Sequence, residues 1–366
     1  MNKDLVSVII PVYKQSKIVL ESLAKLSNDY YQKTEIIIVV DEPTQKFLKE
    51  LDNYRTAKVI INKVRKGKVS ALNQGVKSSS GEYILFVDSD VLLPNNIIYN
   101  SIEEIGNHDI LDYPKVGIVS SNISRLTSID YLQANMISEI FSKISRKTFA
   151  IDGAAFMIKM DALKKLGGFR PMVSEDFDLA TRSHKMGLTY KMSLKLKVSV
   201  GQPDNFNDWF IQRIRWAYGL GEWIKLNLKY LFRLAIYSPI IVISAIIILL
   251  PTITMGIILY TISSKIVSSY FITYIYYMIP TSSVPIREYV LVVYYTEAGK
   301  AIMASLSAFI LLIPIYYYLA KRYNEKFNPL NFAVYYFIYQ PILLAVFLTG
   351  ISLSFMNKKP DIDWIT

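Results

Sequence analysis

Residues 6–12 of this 366-residue chain are Val-Ser-Val-Ile-Ile-Pro-Val, an uncharged run rich in β-branched side chains. Such a run is typical of a strand that is buried on both faces of a parallel sheet. A second run, Glu35–Val40, ends at Asp41, and shorter strands are predicted at Lys58–Ile61 and Tyr83–Val87. The chain therefore begins with at least four strands that are predicted to share one sheet.

Helical spacing of apolar residues separates these strands at Ile18–Leu26 and Ser70–Ser79. Alternating strands and helices predict an α/β fold with a mostly parallel sheet. Ligands bind such sheets beyond the carboxyl ends of the strands, so Asp41 and Asp88, which each follow a strand, are candidate site residues. The sequence contains neither G-x-G-x-x-G nor a P-loop pattern, and dinucleotide and P-loop sites therefore find no support.

The composition restricts the possible chemistry. The chain has no cysteine and only two histidines, which excludes disulfides, thiolate metal sites, cysteine nucleophiles and histidine-rich metal sites. Any bound metal must be held mainly by carboxylates, which predicts Mg²⁺ or Mn²⁺. Lysine and arginine total 41 against 30 acids, a net charge of +11 that suits nucleic acid, an anionic membrane face or a phosphorylated substrate.

Asp88-Ser89-Asp90 places two carboxylates two residues apart, directly after an apolar strand. In an extended turn, one or both can approach a divalent cation that also binds a pyrophosphate. The alternative is a structural role, because Asp and Ser are common where strands end in turns.

Two further polar segments have both a functional and a structural interpretation. Arg65-Lys66-Gly67-Lys68 is either a solvated basic turn or a phosphate-facing loop in which Gly67 allows close approach of the backbone. Ser174-Glu175-Asp176 precedes a helix predicted at Phe177–Met186. Its acids either complement the helix dipole or include a general base that faces an acceptor hydroxyl.

Gln212-Arg213-Ile214-Arg215-Trp216 is the most specific local pattern. On a helix, Gln212, Arg215, Trp216 and Gly219 share one face. That face offers an amide, a guanidinium for phosphate and an indole for a sugar, and Gly219 is expected to leave room beside the indole. The alternative is an amphipathic helix at a membrane surface, and both interpretations can hold for opposite faces of one helix.

Three uncharged runs lie in the C-terminal part, at 234–264, 301–320 and 327–357. Each reaches the roughly 20 residues needed to cross a hydrocarbon core of about 30 Å. We therefore expect membrane spans at about 235–262, 300–320 and 331–355.

Basic residues predict the orientation of these spans. Lys321, Arg322 and Lys326 lie between the second and third spans, and the N-terminal region is also basic. Placing both on the cytoplasmic side requires three spans, and a fourth within 266–296 is the alternative. The N-terminus shows no apolar run resembling a signal peptide. The predicted organisation is a cytoplasmic α/β domain at 1–205, an amphipathic interfacial region at 206–233 and a membrane region at 234–366.

Taken together, these motifs resemble the family-2 glycosyltransferases of the GT-A fold, over roughly residues 5–233. The opening strand with Pro11, the segment GKVSALN, the D-x-D at Asp88–Asp90 and the pair Glu175-Asp176 occur in the order of that family. The segment at 212–216 matches the pattern Q-[QR]-x-R-W of cellulose- and hyaluronan-synthase-like enzymes, a version of which occurs in ceramide glucosyltransferases.

The resemblance also implies roles for individual residues. It implies donor binding by Pro11, Tyr13, Asp41, Lys68, Asp88, Gln212 and Arg215; acceptor binding by Gly153, Ala154 and Trp216; metal binding by Asp90 and Asp88; and catalysis by Asp176, as base, with Glu175. Where the family often has a second Asp and then Gly-Ser after Asp41, this chain has Glu42-Pro43-Thr44. The identities of the nucleobase and of the sugar in the donor therefore stay open.

The expected activity is inverting, Mg²⁺- or Mn²⁺-dependent transfer of a hexose from a nucleotide-diphosphate sugar to a membrane-associated acceptor. A lipid-linked acceptor, such as a polyprenyl phosphate or a glycolipid, is slightly favoured over a growing extracellular polysaccharide, because three spans could hardly enclose a translocation path. A transporter is disfavoured because the apolar runs hold few functional polar residues. A nucleic-acid partner is disfavoured because no helix-turn-helix, zinc or RNA-binding signature occurs.

Overall fold

The computed structural model describes residues 2–148, 150–238, 277–278 and 284–360. The chain forms two compact units, one comprising 1–244 with 346–366 and the other 245–345. The predicted first span at about 235–262 lies largely outside the described residues, and the alternative fourth span within 266–296 lies partly outside them.

The first unit is built around two sheets. The seven-stranded sheet has the order β3-β2-β1-β4-β8-β6-β9, and the three-stranded sheet has the order β5-β10-β7. The strands are β1 Asn2–Tyr13, β2 Thr34–Asp41, β3 Ala57–Asn62, β4 Gly81–Val87, β5 Val91–Leu92, β6 Ile110–Asp112, β7 Lys115–Ile118, β8 Ala155–Lys159, β9 Tyr190–Met192 and β10 Val198–Gly201.

The prediction of a mostly parallel α/β sheet is confirmed. Parallel pairing joins β3, β2, β1 and β4, and also β6 and β9. Only β8 runs antiparallel to its two neighbours in this sheet, β4 and β6. The four predicted strands are all present and each is longer than predicted, because backbone pairing continues into polar residues that the apolar pattern does not mark.

Helices cover the sheet. In the first unit they are α1 Lys17–Ser27, α2 Gln45–Leu51, α3 Lys68–Lys77, α4 Ile97–Ile105, α5 Asn122–Ile140, α6 Met160–Leu166, α7 Glu175–Lys185 and α8 Phe206–Tyr237. Helix α3 starts two residues before the predicted Ser70 because Gly67, with φ of +85°, turns the chain into it. It also packs closely on β1, since a Cβ at Gly75 would lie 2.4 Å from Ile9 Cγ2. Lys68 is thereby held at the carboxyl edge of the sheet.

The core lies on both faces of the central strands. Val8, Ile9 and Ile10 on β1 and Ile37 and Ile38 on β2 are fully buried. Consecutive buried residues point to opposite faces of a strand, so helices must cover both sides. This arrangement explains why the two strands show continuous apolar runs rather than alternation.

Among the described residues after Ser238, three α-helices follow, α9 Val284–Arg322, α10 Pro329–Val334 and α11 Gln340–Phe355. A π-helical turn joins α10 to α11, so that Pro329–Phe355 is one continuous helix of 27 residues. Among the described residues, this helix alone is long and apolar enough to cross a membrane, judged by length and composition. It coincides with the predicted span 331–355, and the predicted span 300–320 falls within α9.

Candidate active site

The carboxyl ends of β1, β2 and β3 bring three polar residues into one row. Tyr13 is in register with Asp41, and Asp41 with Asn62. One Asp41 carboxylate oxygen accepts hydrogen bonds from the backbone N–H groups of Lys66 and Gly67, both at 2.8 Å, and the other accepts from Asn62 Nδ2 at 2.9 Å. Asp41 therefore fixes the shape of the basic loop, and Asn62 is a supporting residue that the sequence motifs did not indicate.

Tyr13 lies beside the same loop. Its ring is 4.3 Å from the Arg65 guanidinium carbon, and its hydroxyl donates a hydrogen bond of 3.2 Å to Glu42 Oε2. Glu42 has a left-handed backbone with φ of +49°, which is uncommon for a residue with a side chain. Pro11, by contrast, is buried within β1, opposite Val39. The structure thus places Tyr13, but not Pro11, at the edge where a nucleoside is expected.

Lys68 connects three motifs that are distant in the sequence. Its ammonium nitrogen lies 2.7 Å from Asp88 Oδ2 and 2.9 Å from Glu175 Oε1. Burial lowers the pKa of Lys68, but the charges of Asp88, Glu175 and Asp176 outweigh it and raise the pKa well above its ordinary value. Lys68 therefore stays cationic, and it holds the basic loop, the D-x-D and the Glu175-Asp176 pair together.

The two D-x-D carboxylates differ in their surroundings. Asp88 is paired with Lys68, and burial, together with Asp90 and Glu175, raises the pKa of Asp88 to about 7. The Asp90 side chain is exposed and has no side-chain hydrogen bond within the described part of the chain. Its backbone is fixed, since its carbonyl accepts from Gly201 N–H at 2.8 Å. Asp90 is therefore the carboxylate that is open to a ligand.

These residues suit a divalent cation that is shared with a substrate. The described residues contain no cluster of three or more acidic or histidine side chains able to enclose a metal alone. Mg²⁺ and similar ions are commonly bound by one or two carboxylates, with substrate phosphates and water completing the coordination. Asp90, with Asp88 beside it, provides such a partial set of hard oxygen ligands.

Asp176 faces the turn that leads into β8. Its Oδ2 accepts from the Gly153 N–H at 3.1 Å and its Oδ1 from the Phe177 N–H at 2.7 Å. A Cβ at position 153 would lie 2.9 Å from Asp176 Oδ2, so only glycine allows this approach. Burial, then the charge of Glu175, raises the pKa of Asp176 to about 7. A carboxylate with that pKa can accept a proton near neutral pH.

Helix α8 turns Arg215 towards the same carboxylates. Burial lowers the pKa of Arg215, and the charges of Glu175, Asp88 and Asp90 oppose that effect. Gln212 Oε1 is buried and has no hydrogen-bond partner among the described residues. Buried polar atoms are usually paired, so an acceptor of this kind suits a bound ligand with a donor group.

Arg213 and Trp216 form a stacked pair on α8. The Arg213 guanidinium lies 4.2 Å from the Trp216 ring centroid, and its Nη2 donates to Asp130 Oδ2 on α5 at 2.9 Å. Arg213 is only 3% exposed, whereas Trp216 is 38% exposed. The buried ion pair therefore supports one face of the indole and leaves the rest accessible to solvent.

Two of the three tryptophans of α8 are buried and do not form a membrane surface. Trp209 and Trp223 are 2% and 5% exposed, and Trp223 Nε1 donates to Thr181 on α7 at 2.8 Å. Apart from Trp216, the large exposed apolar residues of α8 form a different set, which is Phe206, Phe210, Leu226, Leu228, Phe232, Ile236 and Tyr237. An interfacial role therefore concerns this set and not the two buried tryptophans.

The expectation for Gly219 was wrong. The space beside Gly219 is filled by the loop before α7, since a Cβ there would lie 2.3 Å from Ser174 Oγ and 3.0 Å from Val173 Cγ1. That loop leads directly into Glu175 and Asp176. Gly219 therefore allows α8 to approach the acidic pair, instead of leaving room for a sugar beside the indole.

The opposite face of α8 packs against the end of α11. A Cβ at Gly350 would lie 2.5 Å from the Ala217 side chain, and a Cβ at Gly221 would lie 2.8 Å from the Ser354 side chain. Small residues at such crossings allow close approach of two helix backbones. The apolar C-terminal helix therefore contacts the helix that bears Gln212–Trp216, an arrangement that no motif indicated.

Asn73, in the segment GKVSALN, has a structural role that its motif did not indicate, which is to bind the backbone of Phe169. Its side-chain amide donates to the Phe169 carbonyl at 2.9 Å, and its side-chain oxygen accepts from the Phe169 N–H at 3.1 Å. Arg182 supports the same turn by donating to the Gly168 carbonyl at 3.0 Å. These bonds fix the segment that leads towards α7 and its acids.

We expect Gly219→Ala to reduce sugar transfer by about 100-fold, because a displacement of about 1 Å at a catalytic group has an effect of that size. The added methyl group crowds the Ser174 hydroxyl at 2.3 Å and the Ser174 backbone nitrogen at 3.3 Å, next to the start of α7. Initial rates on purified full-length protein measure the loss. Gly299→Ala is the matched control, since a Cβ there meets no heavy atom of the described part of the chain within 4 Å. Equal activity of the two variants would contradict this role for Gly219.

Comparison with known proteins characterises the N-terminal part of the chain. Residues 7–167 match the model of glycosyl transferase family 2. The chain thus contains a family-2 glycosyltransferase domain, and its fold is the GT-A-like α/β fold that the resemblance implied.

Individual relatives are more distant. The chain is 24% identical to a poly-β-1,6-N-acetyl-D-glucosamine synthase of Staphylococcus epidermidis over 227 residues, which cover 58% of this chain and 54% of the relative. It is 27% identical to a probable glycosyltransferase of Sulfolobus acidocaldarius over 253 residues, which cover 63% and 53%. The chain therefore spans about half the length of the curated relatives it matches.

A solved structure resembles nearly the whole chain. The mannosyltransferase of Pyrobaculum calidifontis, solved in complex with GDP-mannose and Mn²⁺, superposes with a TM-score of 0.55. The superposition covers 97% of this chain and 88% of that protein, at 17% sequence identity. At this identity the likeness concerns the fold alone.

Proposed function

We propose that this protein transfers a hexose, with inversion, from a nucleotide-diphosphate sugar to a membrane-associated acceptor. The observation on which the proposal rests is the convergence of three motifs on Lys68, within a domain that matches family 2. Through this convergence the D-x-D, the basic loop and the candidate base Asp176 surround one edge of the sheet. This arrangement places three features next to one another. They are a partial metal-binding site, cations that can pair with a diphosphate, and a base that can activate a nucleophile.

The donor binds, in this proposal, across the row at the carboxyl ends of β1 and β2. Tyr13 and Asp41 lie where the nucleoside is expected, and Gln212 and Arg215 approach from α8. The mannosyltransferase of similar fold binds Mn²⁺ and GDP-mannose, which supports a cation and a nucleotide sugar as ligands here. When bound at Asp90 and Asp88, a divalent cation supplies Lewis-acid stabilisation of the diphosphate.

Asp176 acts as the general base. It takes the proton from an acceptor hydroxyl, and the oxygen of that hydroxyl attacks the anomeric carbon from the side opposite the diphosphate. The bond between the anomeric carbon and the diphosphate oxygen breaks, and its electron pair leaves with the nucleotide. Arg215, a cation close to the D-x-D, offsets the charge that develops on the leaving group.

The acceptor is proposed to be lipid-linked, such as a polyprenyl phosphate or a glycolipid. It would lie in the membrane that the C-terminal helices are proposed to span. The exposed apolar set on α8 and the helix Pro329–Phe355 support membrane association. A multi-pass topology with a cytoplasmic catalytic domain is part of the proposal, supported by the basic residues Lys321, Arg322 and Lys326 between the predicted spans. The named staphylococcal relatives favour an alternative, which is processive synthesis of a polysaccharide.

A screen of nucleotide sugars by thermal shift, with and without Mn²⁺, tests the proposal. We expect stabilisation by one donor, and a larger shift when Mn²⁺ is present, because ligands that bind only the folded state raise its stability. Incubation with that donor in labelled form then distinguishes the two acceptor classes. A single added sugar indicates one transfer to a lipid-linked acceptor, and a ladder of products indicates polysaccharide synthesis. Absence of both binding and turnover with any nucleotide sugar would contradict the proposed function.

A further inference from the structure

A second carboxylate shares the turn that contacts the candidate base. Asp152 Oδ1 accepts a hydrogen bond from the Ala154 N–H at 3.0 Å, and the preceding N–H, that of Gly153, donates to Asp176 at 3.1 Å. The two carboxylates are therefore bound to consecutive amides of one turn. Asp152 is partly exposed, and its second oxygen, Oδ2, has no hydrogen-bond partner in the described part of the chain.

The charges around this turn are predominantly negative. After burial and Glu175, the charge of Asp152 is a further cause of the raised pKa of Asp176. The nearby cations face other carboxylates: Lys68, whose charge partly lowers the pKa of Asp176, pairs with Asp88 and Glu175, and Arg215 interacts with Glu175, Asp88 and Asp90. Arg213 pairs with Asp130. A group that enters beside Gly153 therefore joins a site in which five carboxylates, those of Asp88, Asp90, Asp152, Glu175 and Asp176, outnumber the two cations Lys68 and Arg215.

We infer that Asp152 accepts a hydrogen bond from an uncharged acceptor and repels a phosphorylated one, so that the nucleophile is a sugar hydroxyl rather than a phosphate. This inference rests on the proposed function and narrows its acceptor class. A carboxylate only accepts hydrogen bonds, which a hydroxyl can donate. An ionised phosphate offers further negative charge instead, and like charges placed together are strongly unfavourable.

The chemistry of the base points in the same direction. A sugar hydroxyl must lose a proton as it attacks, and Asp176 is placed to receive that proton. An ionised phosphate oxygen has no such proton to lose, so a base beside it would only add repulsion. The pair of Asp152 and Asp176 therefore suits a glycolipid or glycan acceptor and disfavours a polyprenyl phosphate.

The test compares two acceptors with the same alkyl chain, octyl β-glucoside and octyl phosphate, on full-length protein with the donor found by thermal shift. We expect wild-type protein to prefer the glucoside. Asp152→Asn should raise the KM for octyl β-glucoside and lower the glucoside-to-phosphate ratio of kcat/KM by about tenfold. Asp161→Asn, an exposed change on α6, should leave the ratio unchanged.

The outcomes separate this inference from the proposed function. A wild-type preference for octyl phosphate, or an Asp152→Asn ratio equal to that of wild type, would overturn the inference. Donor hydrolysis without transfer to the glucoside would also count against it, because the site would then accept water but not a sugar hydroxyl. Wild-type protein that neither binds nor turns over any nucleotide sugar would instead overturn the proposed function. Thermal midpoints of the variants check that each is folded.

Discussion

Asp176→Asn is expected to slow sugar transfer by about 10³-fold, within the range that general-base catalysis contributes. The amide keeps the size of the side chain but cannot take the acceptor proton. It also keeps an oxygen for one of the two backbone N–H groups that bind the carboxylate. Because Glu175, and not Asp176, contacts Lys68 of the donor loop, the donor affinity should change little. Initial rates with labelled donor, and donor titration by thermal shift, measure the two effects separately.

The same residue should set the pH dependence of the wild-type protein. The base acts in its ionised form, and the pKa of Asp176 is raised to about 7 by burial and then by Glu175. We therefore expect kcat/KM to be low in acid, to rise with pH through a midpoint near 7 and to level off above it. A flat profile between about pH 5 and about pH 8 would argue against Asp176 as the base.

An exposed carboxylate provides the matched control for this experiment. Asp161 lies in the first turn of α6, and Asp161→Asn makes the same chemical change away from the candidate site. Its transfer rate should equal that of wild type. Transfer by Asp176→Asn at a comparable rate would remove Asp176 from the proposed role, whereas loss of donor binding as well would point to a displaced site rather than a missing base.

Removal of the divalent cation is the second change with a large expected effect. We expect EDTA to reduce transfer by about 10³-fold, because charge stabilisation by a metal contributes several kcal/mol to such reactions. Mg²⁺ or Mn²⁺ should restore activity. The Asp90→Asn variant should show the same loss and should no longer gain thermal stability from Mn²⁺ added with donor. Asp90 is chosen because its carboxylate is exposed, whereas Asp88 is paired with Lys68.

The Asp88→Asn variant provides a comparison with Asp90→Asn in the metal experiment. Replacing Asp88 with Asn removes the charge from its ion pair with Lys68, which weakens the hold on the donor loop as well as the metal ligand. We therefore expect Asp88→Asn to weaken donor binding even without metal, an effect that Asp90→Asn should lack. Full transfer in EDTA, or normal metal response in Asp90→Asn, would contradict the proposed use of the D-x-D.

The sequence predicted the central strands and the acids at their ends well. The apolar runs at 6–12 and 35–40 mark β1 and β2 because strands covered on both faces bury every residue. Parallel strands end at a common edge, which is why the residue pattern was enough to assign Asp41 and the D-x-D to one edge. The helical spacing of Gln212, Arg215, Trp216 and Gly219 likewise needed only the period of a helix.

Contacts between distant segments were decided by the tertiary structure. Nothing in the spacing of Lys68 and Glu175 indicates that they form an ion pair, and the antiparallel strand β8 has no distinctive pattern. Gly219 was assigned to the wrong neighbour because periodicity tells which residues share a face of a helix, but not what packs against it. Asp152 and the contact between α8 and α11 were missed for the same reason.

The sequence by itself determined the fold class and the kinds of side chain available for chemistry. Those properties depend on local periodicity, composition and short motifs, all of which are written in consecutive residues. The tertiary structure alone decided which oxygen each cation approaches, which carboxylates stay open and which glycines allow helices to meet. These depend on the packing of segments far apart in the chain, where a displacement of about 1 Å can cost about 100-fold in rate.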